Sequence, residues 1–340
     1  MMRSLPLFIV VVVLIVVAFV LNLLIGTVQI PVADILSIVF GEESETEIWQ
    51  NIVVHSRVPA TMTALVAGAG LAVSGLQMQT VFHNPLAGPS VLGISNGASL
   101  GVACVVLLSS SVGGVALRRM GYAGHATITV AAIVGALLVL ALIMVVARRV
   151  RGNVTLLIIG VMIGYLVTSV VGLLKFFAAE EDVKAYVVWG LGSFSGVSGD
   201  ELTMFVSSMC VLLPLSMLLI KPMNILMLGD DYAANLGLNL HRTQMLIILS
   251  SGLLVAIVTA YCGPIMFIGM AVPHLARALF RTSNHAVLMP ATMLTGALLA
   301  LMCNLVARLP VFQGQLPVSS VTALVGAPVV AWILMRRYTR

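Results

Sequence analysis

Ionisable side chains are scarce in this chain. Asp, Glu, Lys and Arg make up 9% of its 340 residues, against roughly 25% in a soluble globular protein. Water does not solvate a surface so poor in charge, which excludes a soluble enzyme or soluble binding module and leaves lipid as the solvent. The net charge of +5 does not point to nucleic acid. The basic residues stand singly or in twos and threes at the ends of apolar segments, where they anchor helices and set their orientation. Cysteine is nearly absent too. Cys104, Cys210, Cys262 and Cys303 lie far apart inside apolar runs without CxxC spacing, so neither a zinc site nor a redox pair is indicated.

Two further absences bear on mechanism. Ion-coupled carriers place Asp, Glu, Lys or His near mid-membrane as ion or proton sites, and the central stretches of these segments hold almost none. A secondary transporter driven by an ion gradient is the alternative reading, and the missing charge counts against it. An intramembrane enzyme would need paired Asp, a Ser–His arrangement or a metal cluster at depth, and no such set is visible. The GxxxxGK[ST] phosphate loop is also missing, so the chain is not expected to hydrolyse ATP. Energy must then arrive from another subunit.

What the sequence has is hydrophobic length. Apolar residues make up 60% of it, and runs of about 20 residues, enough to cross roughly 30 Å of hydrocarbon, recur throughout. The runs 5–25, 58–80, 91–108, 124–147, 154–177, 202–220, 244–261, 267–281, 286–307 and 317–335 predict an all-α polytopic membrane protein of about ten transmembrane helices, a single domain over 1–340. The first run follows Arg3 as in a signal sequence, but it exceeds an h-region and lacks a small-x-small site, so it reads as an uncleaved helix. The stretch 185–195 is too short to span and reads as interfacial. An even number of crossings puts both termini on one side. With the termini in the cytoplasm, eleven of the 17 Lys and Arg fall inside. The six outside are Arg57, Arg118, Arg119, Lys175, Lys184 and Arg308, and this asymmetry favours cytoplasmic termini. Ten of the 12 acidic residues fall outside, including the GEESETE run at 41–47, which reads as a solvated loop; Asp230 and Asp231 fall inside.

Small residues crowd several segments, as at Gly68, Gly70, Ser74 and Gly75, and Gly160 and Gly164 form a GxxxG. Such residues bring helix backbones close together. Five blocks are more specific: RVPATMTALVAGAGLAVSG from Arg57, NPLAGPSVLGISNGASLG from Asn84, PMNILMLGDDYAANLGL from Pro222, GPIMFIGMAVPHLAR from Gly263 and LPVSSVTALVGAP from Leu316. In this order, and over most of the chain, they resemble the FecCD family of ABC importer permeases, which serve iron siderophores, haem and cobalamin. The resemblance implies a type II ABC importer permease in the bacterial inner membrane. It implies pairing with a second copy as a homodimer, two cytoplasmic ATPase subunits and a periplasmic substrate-binding protein. No cofactor is expected in this chain, since ATP and Mg would be bound by the partner ATPase.

The resemblance also carries roles to particular positions. Gly229, Asp230, Asp231, Tyr232, Ala233, Ala234, Asn235, Leu236 and Gly237 match the ATPase-coupling helices, and the two aspartates suit a helix N-terminus. Arg57 and Arg308 match arginines presented to acidic residues of the binding protein, where an exposed guanidinium could pair bidentately with a carboxylate. The chain departs from the pattern at Ala60, where arginine is common, and at Asn304, where aspartate is frequent. Gly152, Asn153, Val154 and Thr155 match an inner gate at the start of the fifth segment. Gly164, Thr168 and Gly172 share one face of that segment at helical spacing, which would leave room along it for a bulky ligand. His274, alone after Pro273, reads as fixing a local hydrogen bond.

Overall fold

The computed structural model describes residues 5–39, 46–108, 122–150, 152–197, 199–310 and 314–338. The acidic run at 41–45 and Arg3, Arg118, Arg119, Arg151 and Arg340 lie outside the described residues. In chain order the α-helices are α1 Leu5–Leu24, α2 Val32–Val39, α3 Glu47–Ile52, α4 Val58–Val81, α5 Ile94–Val106, α6 Tyr122–Arg149, α7 Asn153–Phe177 and α8 Glu180–Gly190. They continue as α9 Asp200–Met217, α10 Ile220–Leu226, α11 Asp230–Asn235, α12 Leu240–Cys262, α13 Ile268–Phe280, α14 His285–Ala307 and α15 Val318–Tyr338. Seven helical stretches among the described residues are long and apolar enough to cross a membrane. With the shorter α5, α13 and the apolar part of α15, they account for the ten expected segments. The stretch 185–195, expected at the interface, begins in α8 and ends in turns.

The centre of the bundle is α4, buried almost throughout and flanked by α12, α13 and α14. Its small residues set the spacing. A methyl group at Gly75 would overlap the carbonyl of Gly269 on α13, so these two backbones touch as only glycine allows. Ser74 and Ser251 bond each other across α4 and α12, Oγ to Oγ at 2.6 Å, which satisfies both hydroxyls without water. By contrast, α1, α7 and α9 leave most of their apolar surface uncovered.

Two departures from regular helix follow from proline. Pro59 has no N–H to reach four residues back, and just before it Val53–Arg57 widens into a π-turn in which Val58 N–H meets Val53 O. The helix is thereby continuous from Glu47 to Val81. After α4, Asn84–Pro89 breaks the ladder, and α5 begins only at Ile94. At 13 residues each, α5 and α13 reach only about 20 Å, so the expected crossings 91–108 and 267–281 are half-helices. Irregular backbone at 82–93 and 263–267 precedes them. Such backbone survives at depth only when packed in protein, and Ala87, Pro89, Cys262 and Gly263 are indeed buried.

The two ends of the bundle differ in charge. One carries Arg148 and Arg149 at the end of α6, Arg242 at the start of α12, and Arg277 and Arg281 at the end of α13. The other carries Glu47, Glu180, Glu181, Asp182, Asp200 and Glu201. They are called the basic and acidic ends below.

Candidate coupling and gating site

At the basic end, two glycines with left-handed backbone start the helices that matter most. Gly152 has φ +113° before α7, and Gly229 has φ +98° before α11; a side chain at either would be strained. The turn at Gly152 brings Asn153, and the turn at Gly229 brings Asp230, to one cavity at the start of α12. Gly152, Asn153, Asp230, His241 and Gln244 line one cavity of about 230 Å³. The expected gate and the expected coupling helix therefore meet at a shared wall. Asp230 Oδ1 is enclosed there without a hydrogen-bond partner. Val154 and Thr155 turn outward.

The helix α11 is anchored on one side and bare on the other. Ala233 is fully buried, and its carbonyl accepts from Leu238 N at 3.0 Å. Tyr232 and Leu236 are 70% and 63% exposed, and Met227 and Leu228 beside them are exposed as well. Four large apolar side chains on a short polar helix outside the spanning segments form a patch suited to a protein partner.

The face expected along α7 is only partly open. Gly164 is buried, and its carbonyl accepts from Asn96 Nδ2 at 3.0 Å and from Thr168 Oγ1 at 2.9 Å. Packing against α5 thus takes up the first third of that face. Thr168 and Gly172 instead line a cavity of about 230 Å³ with Asn96, Ser99, Lys175 and Tyr186. Lys175 Nζ sits 4.5 Å from the centre of the Tyr186 ring. The open stripe of α7 is a different one, through Val154, Ile158, Met162, Tyr165, Leu166 and Leu173.

At the acidic end the two expected docking arginines part company. Arg57 is buried, with 1% exposure. It donates from Nη1 to Leu23 O at 2.6 Å and Leu24 O at 3.1 Å, and from Nη2 to Val28 O. Its guanidinium caps the C-terminus of α1, where orphan carbonyls and the helix dipole favour a cation. It is not the exposed group that the docking expectation assumed. Arg308 stands at the C-terminus of α14, half-buried, with Nη1 enclosed and unpartnered. Burial lowers its pKa from the ordinary value, and the nearby Arg57 lowers it further.

Residues 14–336 match the model of the FecCD transport family. The chain belongs to that family. It is 36% identical over 323 residues to the vitamin B12 import system permease protein BtuC of Klebsiella pneumoniae subsp. pneumoniae, covering 95% of this chain and 91% of that one. BtuC of Salmonella typhi is 34% identical over 315 residues, with 89% and 91% covered. A solved chain described as a metal-chelate type ABC transporter in an inward-facing conformation superposes with a TM-score of 0.83 at 29% identity. That match covers 97% of this chain and 99% of the other. The fold is accordingly that of an ABC transporter permease.

In this FecCD permease the sequence reading missed a polar network behind α11. Asn224 on α10 accepts at Oδ1 from His285 N at 2.8 Å and from His285 Nδ1 at 2.9 Å, and donates to Asn284 Oδ1 at 3.0 Å. His285 Nε2 faces Thr80 Oγ1 of α4 at 3.0 Å. His83 Nε2 donates to Leu226 O at 3.0 Å, and His274 Nε2 to Pro85 O at 2.7 Å. His274 thus fixes a local hydrogen bond, as expected. His83 and His285 tie α10 to the irregular 82–93 stretch, to α14 and to the end of α4, and His274 ties α13 to the same stretch. The signal was available in outline for two of these three histidines: His83 and His274 fall beside or in the proline-broken blocks of a charge-poor chain.

Proposed function

We propose that this FecCD permease is the membrane-spanning subunit of a binding-protein-dependent ABC importer in the inner membrane. Its cargo is a bulky metal chelate of the iron-siderophore, haem or cobalamin class. The names of its relatives support the corrinoid member of that class. Two copies form the transport unit, two ATPase subunits dock at the basic end, and a periplasmic binding protein docks at the acidic end. Both termini then face the cytoplasm.

The observation that carries this reading is α11. Its exposed Tyr232 and Leu236 offer a contact surface, while Asp230 at its start shares a cavity wall with Gly152 and Asn153 at the start of α7. A push on α11 from a hydrolysing partner moves the wall of the cavity that the base of α7 also lines. The open stripe of α7 supports pairing of two copies along it. At the acidic end Arg308, half-exposed at the end of α14, is the arginine suited to meet a carboxylate of the binding protein; Arg57 holds α1.

Reconstitution of the permease with its ATPase and binding protein tests the proposal. The double variant Tyr232→Ser/Leu236→Ser should lose ATPase association and chelate uptake while its own melting temperature stays unchanged. Unimpaired association and uptake would refute it. Uptake by the permease alone under a proton gradient would support the ion-coupled alternative.

A further inference from the structure

A second cavity at the basic end lies between α6 and α12, on the outer side of the one that joins Gly152 to Asp230. Its volume is about 380 Å³. Deeper in the bundle Leu140 packs on Gly252, and the groove lies toward the basic ends of the two helices. The lining divides by chemistry. Arg148, Arg242 and His241 stand at the helix ends, and Met144, Leu246 and Leu249 form the wall beneath them. Among the described residues no carboxylate lines it. On α12 the spacing from Arg242 to Leu246 and Leu249 places the charge and the apolar residues on one face, over about 10 Å of helix. On α6, Met144 and Arg148 repeat the arrangement one turn apart.

Three basic side chains above an apolar groove are a poor surface for a soluble anion, which has no use for the groove. They are also a poor surface for a zwitterionic lipid, whose quaternary ammonium would bring a further positive charge beside the guanidinium groups that hold its phosphate. We propose that this groove binds one anionic phospholipid, its phosphate held between Arg148, Arg242 and His241 and one acyl chain laid along Met144, Leu246 and Leu249. Arginine suits a phosphate diester because its planar fork donates two parallel hydrogen bonds. Basic pockets between helix ends on the cytoplasmic side are where such headgroups bind. Leu142, Val145 and Leu246 are each about half exposed, so the groove lies on a surface that lipid already wets.

The site abuts the coupling machinery. His241 and Met245 line both this groove and the cavity that holds Asp230, Gly152 and Asn153. A phospholipid in the groove therefore braces the start of α12 from the side opposite the gate. The site itself requires no assumption about cargo or ATPase, so it stands or falls apart from the import reading.

Native mass spectrometry of the full chain, released from neutral detergent with chain-matched phosphatidylglycerol and phosphatidylcholine, tests the site. Wild type should retain one phosphatidylglycerol at least tenfold in preference to phosphatidylcholine. Arg148→Gln/Arg242→Gln should bring the ratio near one, Arg148→Lys/Arg242→Lys should keep a reduced preference, and all three proteins should melt alike in neutral detergent. Glycerophosphoglycerol, the headgroup without chains, should not displace the lipid at millimolar concentration. Equal retention of the two lipids by wild type, or an undiminished preference in the Gln variant, would overturn the proposal. Displacement by the soluble headgroup would make the groove a site for a free phosphate ester. Loss of ATPase binding by the Gln variant with lipid retention unchanged would make it a protein contact.

Discussion

Asn304 on α14 donates from Nδ2 to Oδ1 of Asn22 on α1 at 2.9 Å, with both side chains buried. The Asn22 amide passes the link on, donating to Ala18 O at 2.8 Å and Leu301 O at 3.0 Å. Asn304 Oδ1 is enclosed without a partner. The pair is thus asymmetric: Asn22 uses all it has, and Asn304 leaves one acceptor idle. Asn22→Ala should cost more stability than Asn304→Ala, by about 1 kcal/mol, because it strands the Asn304 amide as well as removing two bonds. Asn304→Asp should cost more than either, since it sets a buried carboxylate against the Asn22 oxygen. Unfolding in mixed detergent micelles ranks the three, and a ranking with Asn304→Ala as the worst would contradict the assigned hydrogen bonds.

Gly75→Ala tests the contact at the centre of the bundle. The added methyl meets the Gly269 carbonyl, which is backbone and cannot swing aside. Overpacking of an ordinary core costs about 1–3 kcal/mol, and this site should reach or pass the upper figure. Little folded protein should be recovered from the membrane fraction. A variant that melts like wild type would mean that α4 and α13 are farther apart than described.

The two arginines at the acidic end should respond in opposite ways. Arg57→Ala releases three carbonyls at the end of α1 and should lower stability by about 2–3 kcal/mol, the scale of hydrogen bonds to a charged group. Arg308→Gln removes an enclosed, unpartnered nitrogen beside another cation. The isolated permease should melt at the same temperature or slightly higher. Binding-protein affinity should fall for Arg308→Gln, as expected if this guanidinium finds its carboxylate only in the complex. Melting curves of the two variants, with binding-protein titrations of Arg308→Gln, separate the roles; a stability loss at Arg308 matching that at Arg57 would remove the distinction.

The ten segments were legible because hydrophobic length is a property of sequence alone, and α1, α6, α7, α12 and α14 fall close to the expected bounds. The half-helices were legible only in part: Asn84–Pro89 and the short run 267–281 mark broken helix, but an apolar run does not show how much irregular chain lies beside the break. Ile94–Val106 and Ile268–Phe280 are short only because Pro89 and the Gly263–Pro264 turn leave irregular chain before them. The π-turn at Val53–Arg57 was hidden for the same reason. Arg57 shows a second limit. Its position at a helix end suggested exposure, but the C-terminus of α1 lies against it, and which helix ends share a level is a tertiary fact. The meeting of Asp230 with Gly152 was equally invisible, since 77 intervening residues say nothing of proximity. Gly164 and Thr168 did share a face, as spacing requires, but which helix covers that face was decided by Asn96.

Asn224 offers the sharpest test of how α11 speaks to the bundle. It lies on α10, one short turn from α11, and holds His285 by backbone and ring together. Its Oδ1 accepts, so Nδ1 of His285 carries the proton and Nε2 is left facing Thr80. One side chain thereby joins α10, α14 and α4. Asn224→Ala removes the three contacts without touching the exposed face of α11. The variant should bind the ATPase as wild type does, since Tyr232 and Leu236 are unchanged, and should lose roughly 1–2 kcal/mol of stability. Chelate uptake per ATP hydrolysed should drop several-fold, because α11 can then move without carrying α14 and α4. A paired measurement of uptake and hydrolysis in liposomes decides it: an unchanged ratio would mean that force reaches the bundle through the Asp230 cavity alone.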